Sequence, residues 1–161
     1  MSSFSRSPFF DLRDWWMSDS NIRSFFRVDQ TGMVPFYPIQ QPPESARPYV
    51  IYKYRTISPA SEWWYRREFI FMQISGNNFQ QIYEVINRMI DYANQGAISA
   101  RDLSIWLKNN NRRQDFELHS IHLDRVGDSD PAFEEGGDIK IDVSFYIDYS
   151  PLQGRNIKSY D

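Results

Sequence analysis

The side chains best suited to metal chemistry in this sequence are two histidines, His119 and His122. They stand three residues apart in a segment with the pattern of a β-strand, where such positions face opposite sides of a sheet and cannot share a metal ion. His122 and Asp124 do share a face, but two ligands do not complete a metal site. The sequence therefore predicts surface or interface histidines and no bound metal.

A second candidate is the acidic segment 127–138, which carries five acidic residues and no basic one: Asp128, Asp130, Glu134, Glu135 and Asp138. It begins like a calcium-binding loop, but Ala132 and Phe133 stand where that motif needs a ligand and a glycine. Weak, non-specific cation binding is the lesser alternative, and we expect a solvated turn or a surface that meets a basic partner. The segment exceeds the ~2–5 residues of ordinary hairpin loops, which favours a dedicated role or disorder.

The sequence contains none of the short motifs that position a phosphate group or a nucleophile. There is no GxxxxGK[ST], GxGxxG or GxSxG pattern, and there is no cysteine. The carboxylate pair Glu134-Glu135 lies in a polar stretch without an apolar pocket that would shift its pKa. We therefore predict that the chain is not an enzyme and uses neither a catalytic residue nor a cofactor.

Composition favours a protein that works through contacts with other macromolecules. Arginine outnumbers lysine, 14 to 4, and there are 12 phenylalanines, 10 tyrosines and 5 tryptophans. Arginine, tyrosine and tryptophan dominate the energetics of protein interfaces, although an aromatic-rich core is the alternative. The net charge of −3 argues against a basic nucleic-acid clamp. Arginine interleaved with aromatic residues at 63–67 still leaves a single-strand nucleic-acid-binding module as an alternative.

The chain length and the lack of cysteine narrow the class of protein further. A length of 161 residues favours one domain. The absence of cysteine excludes disulfides and thiolate metal sites, and it favours folding in a reducing cytoplasm. Charged or amide side chains interrupt every apolar run before it reaches the ~20 residues of a membrane helix, so no membrane partner is expected.

Residues 1–48 differ in pattern from the rest and are predicted to form an N-terminal arm. Ser7-Pro8 is typical of a helix start. The proline-rich tract 35–43 should run extended over a surface, because proline cannot donate the hydrogen bonds that a sheet interior needs. We expect the arm to pack on its own subunit or on a neighbour, with six aromatic side chains as candidate interface anchors: Trp15, Trp16, Phe25, Phe26, Phe36 and Tyr37.

Residues 49–150 have the pattern of an α+β domain, followed by a C-terminal tail, 151–161. Strands are predicted at 49–57, about 64–75, 116–126 and 139–149. Helices are predicted at 79–93, capped by Asn78, and from Ser99 onward. The order of these elements predicts an antiparallel sheet of about four strands with two helices packed on one face, plus the extended N-terminal arm.

The strand at 116–126 has an irregular apolar pattern. Phe116 and Leu118 are even-numbered, whereas Ile121 and Leu123 are odd-numbered. Because side chains alternate between the two faces of a strand, this flip predicts a bulge near His119-Ser120 or burial of both faces.

The span from Arg47 to Tyr149 resembles the tail terminator, or tail-completion, proteins of tailed bacteriophages. The resemblance rests on the order and pattern of four pieces: the entry strand Pro48–Tyr52, the strand with outward charges Tyr65–Ser75, the amphipathic helix Phe79–Ala93, and the late strands that end in Asp138–Ile147. It covers about 100 of the 161 residues, and the N-terminal arm lies outside it.

The resemblance implies a structural virion protein that forms a ring, usually a hexamer, at the head-proximal end of the tail. There it would stop growth of the tail tube, and of a sheath where one is present, and join the tail to the head connector. The implied partners are other copies of the chain, the tail-tube protein, a tail-sheath protein and head–tail connector proteins. A head-completion or connector adaptor of the neck is the alternative role.

DNA would pass through the lumen of such a ring with non-specific contacts only. An acidic wall lets phosphates slide past, so we expect the acidic segment to face the tube or the lumen. The protein would be located in the tail or neck of the virion after assembly in the host cytoplasm.

Overall fold

The structure, a computed structural model, describes residues 7–28, 32–38, 48–57, 65–128 and 139–151. Four helices and five strands lie in these ranges. In chain order they are α1 (Phe9–Met17), α2 (Ser20–Phe25), β1 (Phe36–Pro38), β2 (Tyr49–Ile57), β3 (Arg66–Gly76), α3 (Phe79–Ala93), α4 (Ala97–Asn109), β4 (Phe116–Asp128) and β5 (Ile139–Pro151).

The strands form one mixed sheet in the order β1-β2-β3-β5-β4. Neighbours from β2 to β4 are antiparallel, which confirms the predicted α+β fold. The sheet has five strands and not about four, because β1 adds to the edge of β2 in parallel, with Phe36 opposite Val50 and Pro38 opposite Tyr52. An edge strand tolerates proline, since one side of the strand needs no hydrogen-bond donors.

The described residues form four helices where three were predicted, because the N-terminal arm contains two. The arm was expected to hold one short helix, but Asp19 begins a second one. Its carboxylate accepts hydrogen bonds from the backbone N–H groups of Asn21 and Ile22, as an N-cap residue does. In α3 the predicted boundaries are confirmed, and the Asn78 side chain accepts a hydrogen bond from the Gln81 N–H at 3.1 Å.

The hydrophobic core lies between the helices and one face of the sheet. The central strands supply their alternate residues, among them Ile70, Ile74 and Phe145, all fully buried. The helices cover this face with their apolar stripes, and the arm takes part in the same core. The buried core residues of α1, α2, α3 and α4 are Phe9, Leu12, Trp15, Trp16, Met17, Ile22, Ile82, Val85, Ile86, Met89, Ala93, Ala100, Leu103 and Leu107.

The start of α4 differs from the prediction by two residues, since the helix begins at Ala97 and not at Ser99. Gly96, with a φ of 60°, pairs with Ile121 on β4 through two backbone hydrogen bonds of 3.0 and 3.1 Å. Ser99 lies in the first turn of α4, and its hydroxyl accepts a hydrogen bond from the N–H of Gln95, two residues before the helix, at 2.9 Å. Glycine is suited to this left-handed conformation because it has no Cβ.

The predicted bulge in the fourth strand is confirmed. The register of β4 against β5 shifts between Leu118 and Ser120, and it shifts again between Leu123 and Arg125. The first shift moves the apolar side chains from even to odd positions, so that Leu118 and Ile121 can both serve the helix-covered face.

Candidate interaction surface

The opposite face of the sheet carries the candidate functional site, which we call the open face. Within the described residues no helix packs on it. Because side chains alternate along a strand, the open face receives Phe69 and Phe71 from β3 and Tyr146 from β5. The ring centroids of Phe69 and Phe71 lie 6.2 Å apart, and those of Phe69 and Tyr146 lie 5.7 Å apart. All three side chains are half-buried, so part of each ring surface meets solvent.

A bidentate ion pair lies at one end of the open face. The Arg67 guanidinium donates to both carboxylate oxygens of Asp148, at 2.7 and 3.1 Å, and lies 4.4 Å from the centre of the Tyr146 ring. Burial alone raises the pKa of Asp148, but its hydrogen bonds from Arg67 and Tyr65 outweigh this and lower the pKa below its ordinary value. The hydrogen bond to Asp148 raises the pKa of Arg67. Both groups therefore stay charged at neutral pH and keep Tyr146 in a fixed environment.

Further basic side chains surround the aromatic centre of the open face. The Lys53 ammonium lies 5.5 Å from the centre of the Phe71 ring, a cation–π distance. Arg55 on β2 and Arg125 on β4 are exposed at opposite margins of the face. The resulting surface combines aromatic rings with cations, a composition that is enriched in protein interfaces.

A shallow, open depression of about 520 Å³ lies toward the other end of the same face. Its lining includes Lys53, Phe71, Gln73, Arg125 and Asp142. Two of these polar groups pair with each other, since the Gln73 amide donates to Asp142 at 3.2 Å. In the part of the chain that the structure describes, no group of three histidine, cysteine or acidic residues is placed to hold a metal ion.

The two histidines lie apart from each other along β4. The His119 ring nitrogen lies 2.7 Å from the Ser150 hydroxyl oxygen, and its ring stacks on Tyr65 at 6.0 Å. The His122 ring lies 5.0 Å from that of Tyr146 and extends the aromatic cluster of the open face. The structure thus places His122 beside Tyr146, and His119 beside Tyr65, which hydrogen-bonds Asp148 at the end of the open face.

Four of the six predicted arm anchors, Trp15, Trp16, Phe26 and Phe36, are buried in the core of their own chain. Phe25 and Tyr37 are half-buried. The Trp15 ring packs against Tyr92 at 4.9 Å, and the Phe26 ring against Phe36 at 5.4 Å. The described part of the arm is therefore packed on its own subunit, and a role of these residues in contacts between subunits stays a prediction.

Two carboxylates that the sequence analysis did not single out attach the arm to the domain. Asp19 pairs with Arg88 at 2.9 Å and accepts a hydrogen bond from the Tyr92 hydroxyl at 2.8 Å. Glu68, buried on β3, accepts hydrogen bonds from the hydroxyl of Ser7, just before α1, and from the hydroxyl of Thr56 on β2. Polar residues next to apolar runs are common in any sequence, so only the fold identifies these two as attachment points.

The open face was not predicted from the sequence. The segment 65–75 has the pattern of a strand with outward charges, whereas the outward positions 69 and 71 are both phenylalanine. The available signal was that apolar residues occupy both parities of this strand, which indicates a second contact surface beyond the core.

The acidic segment is described only at its first residues. Asp128 is the last residue of β4, opposite Ile141 on β5. Asp130, Glu134, Glu135 and Asp138 lie outside the described residues, and so does the C-terminal tail beyond Pro151. Their predicted position at a tube or lumen stays a prediction.

The fold of this chain, but not its sequence, is similar to that of a known protein. No protein-family model and no curated protein matches the sequence. Among solved structures, a chain from the "Virion of native gene transfer agent (GTA) particle" superposes with a TM-score of 0.52 at 11% identity. The superposition covers 86% of this chain and 91% of that chain. At this identity the likeness shows a shared fold.

None of the helices in the described ranges is both long and apolar enough to cross a membrane.

Proposed function

We propose that this chain is a structural protein of a phage or phage-like virion. The observation that carries the proposal is the open face, where the half-buried side chains of Phe69, Phe71 and Tyr146 lie beside the bidentate Arg67–Asp148 ion pair. A surface of this composition suits contact with another protein better than conversion of a small molecule. The fold shared with a chain of a gene transfer agent virion supports the same role.

Within the virion, we infer a ring at the head-proximal end of the tail. The resemblance of residues 47–149 to tail terminators supports this position. The ring, usually a hexamer in that family, would end assembly of the tail tube and of any sheath, and join the tail to the head connector. DNA would pass through its lumen without specific binding, and the role requires no catalysis.

Light scattering coupled to size-exclusion chromatography tests the ring. The purified chain is expected to form a species of six times the chain mass of 19.2 kDa, alone or after addition of tail-tube protein. A strict monomer in both samples contradicts the proposal.

Particles that lack the protein distinguish a terminator from the alternative neck adaptor. Loss of a terminator leaves tube growth unchecked, so electron micrographs should show tails of excess and variable length. Loss of a connector adaptor should leave tails of normal length that are not attached to heads. The first result supports the terminator role, and the second replaces it with the adaptor role.

One observation favours a second candidate function, a single-strand nucleic-acid-binding module. Half-buried aromatic rings on a sheet can stack bases, and the flanking Lys53, Arg55 and Arg125 can contact phosphates. Fluorescence anisotropy with a labelled single strand checks this. Sequence-tolerant binding that weakens steeply as salt rises would support the module, because phosphate contacts release counterions. The negative net charge leads us to expect no such binding.

A further inference from the structure

Among the described residues, one edge of the sheet has no neighbouring strand over residues 53–57 of β2. The edge strand β1 pairs with β2 only from Val50 to Tyr52. The Val50 N–H donates to the Pro35 carbonyl at 2.9 Å, so the even-numbered residues of β2 direct their backbone groups to this side. Beyond Tyr52, no described strand meets the backbone groups of Tyr54 and Thr56. An edge of this kind is a template for another chain.

The same stretch carries two basic side chains that no described carboxylate neutralises. Residues 53–57 are all exposed, and Lys53 and Arg55 lie on the open face at the margin of β2. Neither forms an ion pair with a carboxylate in the described part of the chain. We call this stretch, residues 53–57, the basic edge.

The opposite charge is concentrated in the acidic segment. The strand order places β4 at the far end from β2, and β4 leads directly into the acidic segment. That segment holds five acidic residues and no basic one. We propose that the basic edge is the docking site for the acidic segment of a second copy of this chain, an inference that rests on the ring of the proposed function.

The backbone of a chain's own acidic segment cannot reach the Arg55 end of its own basic edge. Asp128 lies level with Val50 across the sheet, three strands away from β2. With strands ~4.8 Å apart and ~3.3 Å per residue along them, Arg55 is about 22 Å from Asp128. A loop that must leave at Asp128 and return at Ile139 reaches at most ~18 Å from its base, because each residue spans ~3.3 Å. A neighbouring copy has no such limit.

Such docking would be head-to-tail, since every copy offers one basic edge and one acidic segment. Contacts of this kind repeat from copy to copy and close into a ring when the rotation between copies allows it. The open backbone groups of β2 would contribute hydrogen bonds, as in strand addition. The charges would select the partner and the register.

Charge reversal on each side tests the docking. The edge variant Lys53→Glu/Arg55→Glu and the segment variant Glu134→Lys/Glu135→Lys should each shift from the wild-type assembly mass to that of one chain, in low-salt buffer. Matched controls carry the same charge changes elsewhere. Arg101→Glu/Lys108→Glu on α4 matches the edge variant, and Glu84→Lys/Asp91→Lys on α3 matches the segment variant, because all four positions are exposed. Both controls should assemble as the wild type does, and far-ultraviolet circular dichroism should match for all variants.

Mixing the two variants is the decisive step. In a head-to-tail contact, the unchanged acidic segment of the edge variant fits the unchanged basic edge of the segment variant, and the two reversed surfaces fit each other. An equal mixture should therefore regain the wild-type assembly mass, and native mass spectrometry should find equal numbers of the two variants in it. Neither variant alone should assemble.

The outcomes separate this inference from the proposed function. A wild-type chain that stays monomeric, with and without tail-tube protein, overturns the ring and the inference with it. A wild-type ring that both reversed variants still form overturns only the docking. Folded variants that remain monomeric after mixing overturn it as well, because complementary charges would then not be restoring the contact.

Discussion

The indole Nε1 of Trp16 donates a hydrogen bond to the backbone carbonyl of Met89 at 3.1 Å, and so connects the N-terminal arm to the middle of α3. Trp16 is fully buried, and its ring lies 5.2 Å from that of Phe145 on the central strand β5. One side chain thus contacts a helix and the sheet at the same time. Because Trp16 contacts both α3 and β5, the arm is a part of the fold of its own chain.

Replacing Trp16 should destabilise the whole domain. Trp16→Ala removes a large buried side chain and leaves a cavity, which typically costs about 3–5 kcal/mol. Trp16→Phe keeps most of the ring and loses the hydrogen bond, which typically costs about 1 kcal/mol plus imperfect packing. Urea unfolding followed by fluorescence measures both. An equally stable alanine variant would mean that the arm does not pack on the domain in solution.

Asp19 should make the stability of the protein depend on acid pH. Burial alone raises the pKa of Asp19, but hydrogen bonds from Arg88, Tyr92 and two backbone N–H groups lower it from 3.8 to about 2. A lowered pKa in the folded state means that the carboxylate stabilises the fold above about pH 4 and that this contribution disappears as pH falls through about 2. The free energy of unfolding of the wild type should therefore decline over that window.

The variant Asp19→Asn isolates this contribution. It keeps a side-chain oxygen for the N-cap of α2 but removes the charge that pairs with Arg88, so we expect a loss of about 1 kcal/mol at pH 7. Its decline below pH 4 should be shallower than that of the wild type. Identical pH profiles in urea titrations would show that the Asp19–Arg88 pair does not hold the arm.

Glu68 should make the protein less stable as the pH rises, which is the opposite of the effect of Asp19. Burial raises its pKa above the usual 4.5, and hydrogen bonds from Ser7 and Thr56 offset this only in part. A raised carboxyl pKa in the folded state means that the stabilisation is full below pH 4.5 and is lost as pH rises through the folded-state value. Glu68→Gln, which mimics the neutral acid, should therefore gain stability relative to the wild type between pH 4 and pH 8. A constant difference between the two unfolding curves over that range would contradict the burial of a charge there.

The elements that were predicted well are those whose pattern is local. The apolar stripe of α3 and the strict alternation of β5 are properties of neighbouring residues, and the structure follows both. The bulge in β4 was predictable for the same reason, since a change of parity leaves a trace in the sequence itself. The start of α4 was placed late because the bridge between Gly96 and Ile121 joins residues that are distant in sequence.

The elements that escaped prediction depend on partners far away along the chain. The pairing of β1 with β2 and the burial of Trp16 need a sheet and a helix that the arm's own sequence does not reveal. The open face was missed because aromatic residues on both sides of β3 can mean a buried strand or a surface for a partner. Only the position of the helices shows which side of β3 is covered by the chain itself.

Two substitutions on β3 should distinguish the contribution of the open face to assembly from the contribution of the core to stability. Phe71 and Ile70 are adjacent on β3 and point to opposite faces, with Ile70 fully buried and Phe71 half-buried. Ile70→Ala should cost about 2–5 kcal/mol of stability, because it leaves a cavity in the core. Phe71→Ala should cost much less stability but should weaken assembly or tail-tube binding about 30-fold, as expected for a hot spot worth about 2 kcal/mol. Unfolding by urea and binding by light scattering measure the two effects separately. A Phe71→Ala variant that assembles and binds tail-tube protein as well as the wild type does would remove the open face from the interface.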